Sequence, residues 1–192
     1  CLGARALASR FLARDLVLTR KGRKSVDLSA ARARGVFVLD MIAHNTRKRL
    51  DVFQIAPGEG AASARLAWRA HLVNERWNRD ARTWNRTPDR RGRGRSDRIA
   101  DPAAIPPIAR HPILAGEIRP EWDPRSALFN TDGQIFSDAG IPVVLFMENY
   151  DIRRAGYHDT LDTMANIDLD YGSAQAAIAI ETVADCAMAA EI

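Results

Sequence analysis

The chain has 192 residues, 46% of them apolar, 27% charged and 7% aromatic, with nine prolines and twelve glycines. That is enough for one domain with a real core, and too apolar for wholesale disorder. The longest apolar runs, residues 36–39 and 141–147, fall far short of the roughly 20 residues that a membrane-spanning helix needs. The net charge of +4 is concentrated: between Arg65 and Arg98 eleven arginines stand against four acids, so this window carries +7 and the rest of the chain −3. The window reads as a solvated insertion, with electrostatic binding of phosphates as the alternative.

Residues 2–16 place Leu7, Phe11, Leu12 and Leu16 at helical spacing and predict an amphipathic helix, ended by the basic turn at 20–24. Gly35 opens Val36-Phe37-Val38-Leu39, a short run of β-formers that predicts a strand buried on both faces. Residues 52–55 predict a second strand, closed by Pro57-Gly58, and residues 61–77 a helix with Ala64, Trp68 and Leu72 on one stripe. From 78 to 107 Arg, Gly, Pro and Asp dominate and predict a long loop, within an Arg-rich insertion at about 74–107. Residues 134–139 predict a short helix, 143–147 a third buried strand behind Gly140-Ile141-Pro142, and 149–162 a loop. The last helix spans about 171–188, with Ile178, Thr182 and Val183 toward the core and Asp168 or Asp170 as its N-cap. This alternation predicts an α/β layered domain, in which sites gather beyond the carboxyl ends of strands.

That rule singles out two stretches. Asp40 ends an apolar strand, where a carboxylate is costly unless it meets a cation or hydrogen-bond donors. Gly156-Tyr157-His158-Asp159-Thr160-Leu161-Asp162-Thr163 sets an imidazole beside a phenol and among carboxylates. Asp and His together suit zinc, and a nearby carboxylate commonly orients a ligating imidazole. Each signal by itself also fits a capping residue or a surface histidine.

Taken in order, Val38-Leu39-Asp40-Met41-Ile42-x-x-Asn45, Thr131-Asp132-Gly133-x-x-Phe136, Gly140-Ile141-Pro142-Val143-Val144 and Tyr157-His158-x-x-x-Asp162-Thr163 resemble the C-terminal part of the co-catalytic two-zinc aminopeptidases. These are of the bacterial leucyl aminopeptidase and aminopeptidase Y type. The resemblance implies a three-layer α/β/α fold with a mixed, mostly parallel central sheet. It implies an aminopeptidase that cleaves N-terminal peptide bonds with zinc-activated water, holding two zinc ions and a peptide substrate with a free N-terminus. Asp40 matches a zinc ligand that also helps to hold the substrate amine, and His158 matches the ligand to the other zinc. Tyr157 matches a phenol that stabilises the tetrahedral oxyanion, and Asp162 the acid behind the ligands. Asp132 and Phe136 match the Asp and Phe of a Ser-Asp-His-x-x-Phe motif near the substrate pocket.

The departures are Thr131 and Gly133, where that motif has Ser and His, and Asp159, where Thr usually follows the ligand histidine. The family also uses a first His, a bridging Asp and an adjacent Glu-Glu pair. No Glu-Glu pair occurs in the chain and no His precedes Asp40. The opening residues Cys1-Leu2-Gly3-Ala4-Arg5-Ala6 resemble the family segment just after that pair. The expectation is a C-terminal part of one zinc-peptidase domain over 1–192, inactive by itself, whose catalytic base precedes Cys1. A lipidated Cys1 is a further reading, and two cysteines make no disulfide framework.

His44 is expected to be a loop residue rather than a third ligand, His71 a surface residue and His111 a turn residue. Glu148 and Asn149 end the third strand, either touching substrate or capping a turn. The alternative class is a non-catalytic relative, or a basic binding module built on the 65–98 segment. Trp68, Trp77 and Trp84 interleave with Arg there, but no nucleic-acid-binding motif accompanies them, which disfavours nucleic acid as a partner. Compartment and oligomeric state stay open.

Overall fold

The computed structural model describes residues 2–45, 49–86, 111–149, 157, 158, 160 and 163–189. It is a mixed α/β fold whose four-stranded sheet is mostly parallel and is flanked by helices. The strands are β3 (Val36–Asp40), β4 (Val52–Pro57), β5 (Ala115–Ile118) and β6 (Val143–Glu148), in the order β3-β6-β4-β5. β3 pairs parallel with β6 and β4 with β5, while β4 and β6 pair antiparallel. The carboxyl ends of β3 and β6 therefore share one edge of the sheet, and those of β4 and β5 the opposite edge. Ahead of the sheet, β1 (Val17–Leu18) and β2 (Val26–Asp27) form a small antiparallel ribbon around the basic turn.

β6 is buried along its whole length, and its alternate residues enter two cores. Val144 and Phe146 join Phe53 and Ile55 of β4 against the helices α2 (Gly60–Arg86) and α4 (Leu169–Met188). Val143 packs with α1 (Leu2–Leu12) and α3 (Gly133–Asp138) on the other face, and Leu145 and Met147 with the turn that carries Ala127 and Leu128. β3 is only half-buried and Leu39 is exposed, so the strand expected to be buried on both faces is only partly covered on each, by Phe37 packing on one side and Val36 and Val38 on the other. Among the described residues it is an edge strand, paired on one side only.

Two helices bury a different stripe from the one that their sequence suggests. In α1 the small residues Ala4 and Ala8 face the core while Leu7 and Leu12 are exposed. The helix ends before Arg14, whose φ of 60° breaks the helical path. In α2 Trp68 and Leu72 are exposed, and Leu66, Ala67, Ala70, Val73, Trp77 and Ala81 make the buried face. In α2 both sets have helical spacing, and the longer of them wins the core; of the set expected in α1, Phe11 still packs against the core.

α2 also continues through Arg86, where the sequence pattern predicts loop. The reason lies across the helix, in β5. Asn74 and Asn78 both donate to the carbonyl of Leu114, at 3.0 and 2.9 Å, and Asn78 accepts the Leu114 amide at 2.9 Å. The Trp77 indole donates to Pro112 O at 2.9 Å, so side chains of α2 satisfy the backbone leading into β5. β5 itself, Ala-Gly-Glu-Ile, has no apolar run by which its sequence would announce a strand. Residues 87–110, the centre of the expected insertion, lie outside the described residues.

At the other end of the chain Asp168 is the N-cap of α4, its carboxylate accepting the Tyr171 amide at 3.0 Å. Ile178 and Thr182 are buried as expected, whereas Val183 is exposed. No described helix is long and apolar enough to cross a membrane.

Truncating Phe146, fully buried between the sheet and α2, should cost about 3–5 kcal/mol of unfolding free energy in urea titration. Leu39→Ala, at the exposed edge, should cost less than about 1 kcal/mol.

Candidate functional site

The carboxyl edge of β3 and β6 is assembled around one buried acid. Chain direction reverses sharply after β3, where Met41 takes a φ of 47°. The Met41 carbonyl accepts the Glu148 amide at 2.8 Å, extending the β3–β6 pairing by one bond. Beyond it the Glu148 side chain, 2% exposed, accepts the amides of Ala43 and His44 through Oε2 at 3.2 and 2.7 Å. Of the two expectations for Glu148, the capping one describes these contacts.

The segment that leads into α4 packs against the same turn. His44 Nδ1 lies 3.2 Å from the carbonyl of Asn166. A carbonyl can only accept, so Nδ1 is the donor in this contact. The His44 Nε2 is buried with no hydrogen-bond partner among the described residues. The Ala43 carbonyl accepts the Asp168 amide at 2.8 Å, and Asn45 Nδ2 bridges Asp51 and Asp168 at 3.0 and 3.1 Å. α4 begins so close to this loop that a β-carbon on Gly172 would stand 3.0 Å from Ala43 Cβ and 3.2 Å from the Ile42 carbonyl. Tyr171, one residue earlier, is fully buried and donates its hydroxyl to Val52 O at 2.6 Å. Burial first, and the Glu148 charge second, push its phenol far above the ordinary tyrosine range, so it stays neutral in the folded chain.

Asp40, at the last position of β3, is half-buried, and no hydrogen bond or ion pair to a described residue engages its carboxylate. Tyr157 and His158 are both exposed, with ring centroids 4.0 Å apart and planes 22° from parallel. His158 has a φ of 57°, a left-handed conformation that costs a residue with a side chain about 1–2 kcal/mol. Asp162 and Asp159 lie outside the described residues. The structure thus brings together the loop after β3, the end of β6 and the segment leading into α4, and among the described residues no three His, Cys, Asp or Glu side chains meet as a metal-binding group. Asp40 and His158 are donor types that suit zinc, but two donors are too few to hold it alone.

Phe136 is buried in the core formed with Ala4, Ala8, Ile141 and Val143, while Asp132 is exposed at the start of α3. Asp132 does not cap that helix. Thr131 does, its hydroxyl accepting the Gly133 amide at 3.1 Å and donating to Leu128 O at 2.9 Å. A β-carbon on Gly133 would lie 2.6 Å from Leu128 Cδ1, so the departure from His at this position matches a place with no room for a side chain.

The remaining histidines are more engaged than their sequence positions suggest. His44 is a buried organiser of the edge, His71 stacks on Trp68 at 5.4 Å, and His111 packs against Trp77 and Trp84 at 6.0 and 4.9 Å. Sequence alone gives no signal for the His44 contact, because its partner Asn166 lies more than a hundred residues away.

No family model matches the chain, and no curated protein or solved structure matches it significantly.

Replacing Glu148 by Ala should cost about 1–3 kcal/mol for each amide left without an acceptor. It should also speed hydrogen exchange at Ala43 and His44, read by NMR. Glu148→Gln keeps one acceptor and should cost less.

Proposed function

We propose that this chain is part of a zinc-dependent aminopeptidase, with the three-layer α/β/α architecture of the zinc exopeptidases. The observation that carries the reading is the joining of the loop after β3 to the end of β6 and to the start of α4, through Glu148, His44 and Asp168. The carboxyl ends of strands are the usual place for a site in an α/β sheet; Asp40 ends β3, and the His158 motif follows β6 in the chain. The motif order along the chain supports the same reading.

In this proposal Asp40 and His158 each contribute one ligand to zinc, which when bound supplies an activated water. The family's other ligands and its Glu-Glu pair have no counterpart among the 192 residues, so these two donors form only part of a complete site. Asp40 also offers its carboxylate to the α-amine of the substrate. Tyr157 donates a hydrogen bond to the oxygen that becomes negative as the peptide carbonyl is attacked. Asp162 orients the ligating imidazole, Asp132 borders the approach to the substrate side chain, and Phe136, packed in the core with Ile141 and Val143, supports α3 from behind. The Glu148 cap limits the movement of the loop behind Asp40, which keeps a ligand close to its working position.

The test is hydrolysis of aminoacyl-anilides by the protein as its gene encodes it, with zinc content measured alongside. About two zinc ions per chain are expected, with loss of activity in Asp40→Ala and in His158→Ala. Tyr157→Phe should lower kcat about 10²–10³-fold with little change in KM, as for the loss of one oxyanion donor. Full activity in the Asp40→Ala/His158→Ala double variant would overturn the assignment.

A further inference from the structure

The opposite edge of the sheet, where β4 and β5 end, carries a cleft of about 480 Å³. Its apolar lining includes Pro57, Ala64, Ile118 and Pro120, and its charged groups are Glu59 and Glu121. Trp122 also lines it and is 83% exposed, an unusual position for an indole without a ligand to cover it.

One hydroxyl ties the Glu59 backbone to the Glu121 carboxylate. Ser137, itself buried, accepts the Glu59 amide at 2.9 Å and donates to Glu121 Oε2 at 3.5 Å. Burial, and then the charge of Glu59, push the Glu121 carboxyl above the usual range; Ser137 opposes this and Asp138 adds to it. No cation among the described residues pairs with Glu59 or Glu121. The cleft therefore combines like charges in need of a cation, an aromatic face and an apolar wall.

We propose that this cleft binds a guanidinium group, presented as an arginine side chain by a peptide or protein partner. The planar guanidinium can lie on the indole of Trp122 while its N–H groups reach the Glu59 and Glu121 carboxylates. The three methylenes of the arginine then run along Pro57, Ile118 and Pro120. A neutral group of the same shape gains the apolar contact but leaves the carboxylates facing each other. The inference is independent of the zinc-peptidase reading, since it uses the other edge of the sheet and none of the same residues.

The test is titration of the protein with Nα-acetyl-arginine amide, with Nα-acetyl-citrulline amide as the uncharged isostere, following the Trp122 indole by NMR. A saturable shift with the arginine probe is expected in the millimolar range, and none with citrulline. Glu59→Gln and Glu121→Gln should each weaken binding about tenfold, as loss of a charged hydrogen-bond partner does. Both variants remove one of two like charges, so the fold should persist, which their amide spectra check. The proposal fails if the citrulline probe binds as well, if neither glutamine variant loses affinity, or if Trp122 shows no saturable shift.

Discussion

A carboxyl group buried at the end of a central strand has to find donors, and the way Glu148 finds them organises one edge of this protein. An acid taken out of water without partners would cost several kcal/mol. Glu148 avoids that by drawing in the amides of Ala43 and His44. This fixes the path of the chain after β3, which in turn presents the Ala43 carbonyl to Asp168 and the His44 ring to Asn166. Asp168 is at the same time the N-cap of α4. One buried acid thus couples two strands, two loops and a helix start.

At the same end of the sheet, the start of β5 is held by amides instead of a charge. Asn74 and Asn78 of α2 hold the backbone at Leu114, and the Trp77 indole holds Pro112. A short strand with a weak sequence is kept in the sheet by the helix beside it. These polar contacts are buried, so loss of either asparagine would leave backbone groups without water to replace their partners.

The two ends of the sheet differ in chemistry. The β3–β6 edge spends its buried acid on backbone amides and leaves Asp40 without a described partner. At the β4–β5 edge, Ser137 links the Glu59 backbone to the Glu121 carboxylate, and both acids line a cleft beside an exposed indole. The proposed zinc-peptidase chemistry belongs to the first edge and the proposed guanidinium site to the second.

Much of the fold was legible in the sequence where a signal was local. The runs at 36–39 and 143–147 gave strands because β-branched and aromatic residues cluster there, and the α4 cap was one of two acids adjacent to the helix. Legibility failed where two answers fit the same local pattern. The Trp68–Leu72 stripe and the Leu66–Val73 stripe are both helical, and only packing against β4 and β6 selects between them. β5 had no local signal at all. At the candidate site the sequence picked out Asp40, Tyr157 and His158 through their spacing and the family they resemble. It left Glu148 ambiguous and treated His44 as ordinary loop.

The sequence by itself therefore determined the mixed α/β character, the strand cores and the positions of the motif residues, because these depend on neighbours within a few residues. The tertiary structure decided which helix faces are buried, that β4 runs against β6 and that residue 148 caps the loop at 43–44. Those outcomes depend on contacts between residues far apart in the chain, and periodicity within a short window carries no information about them.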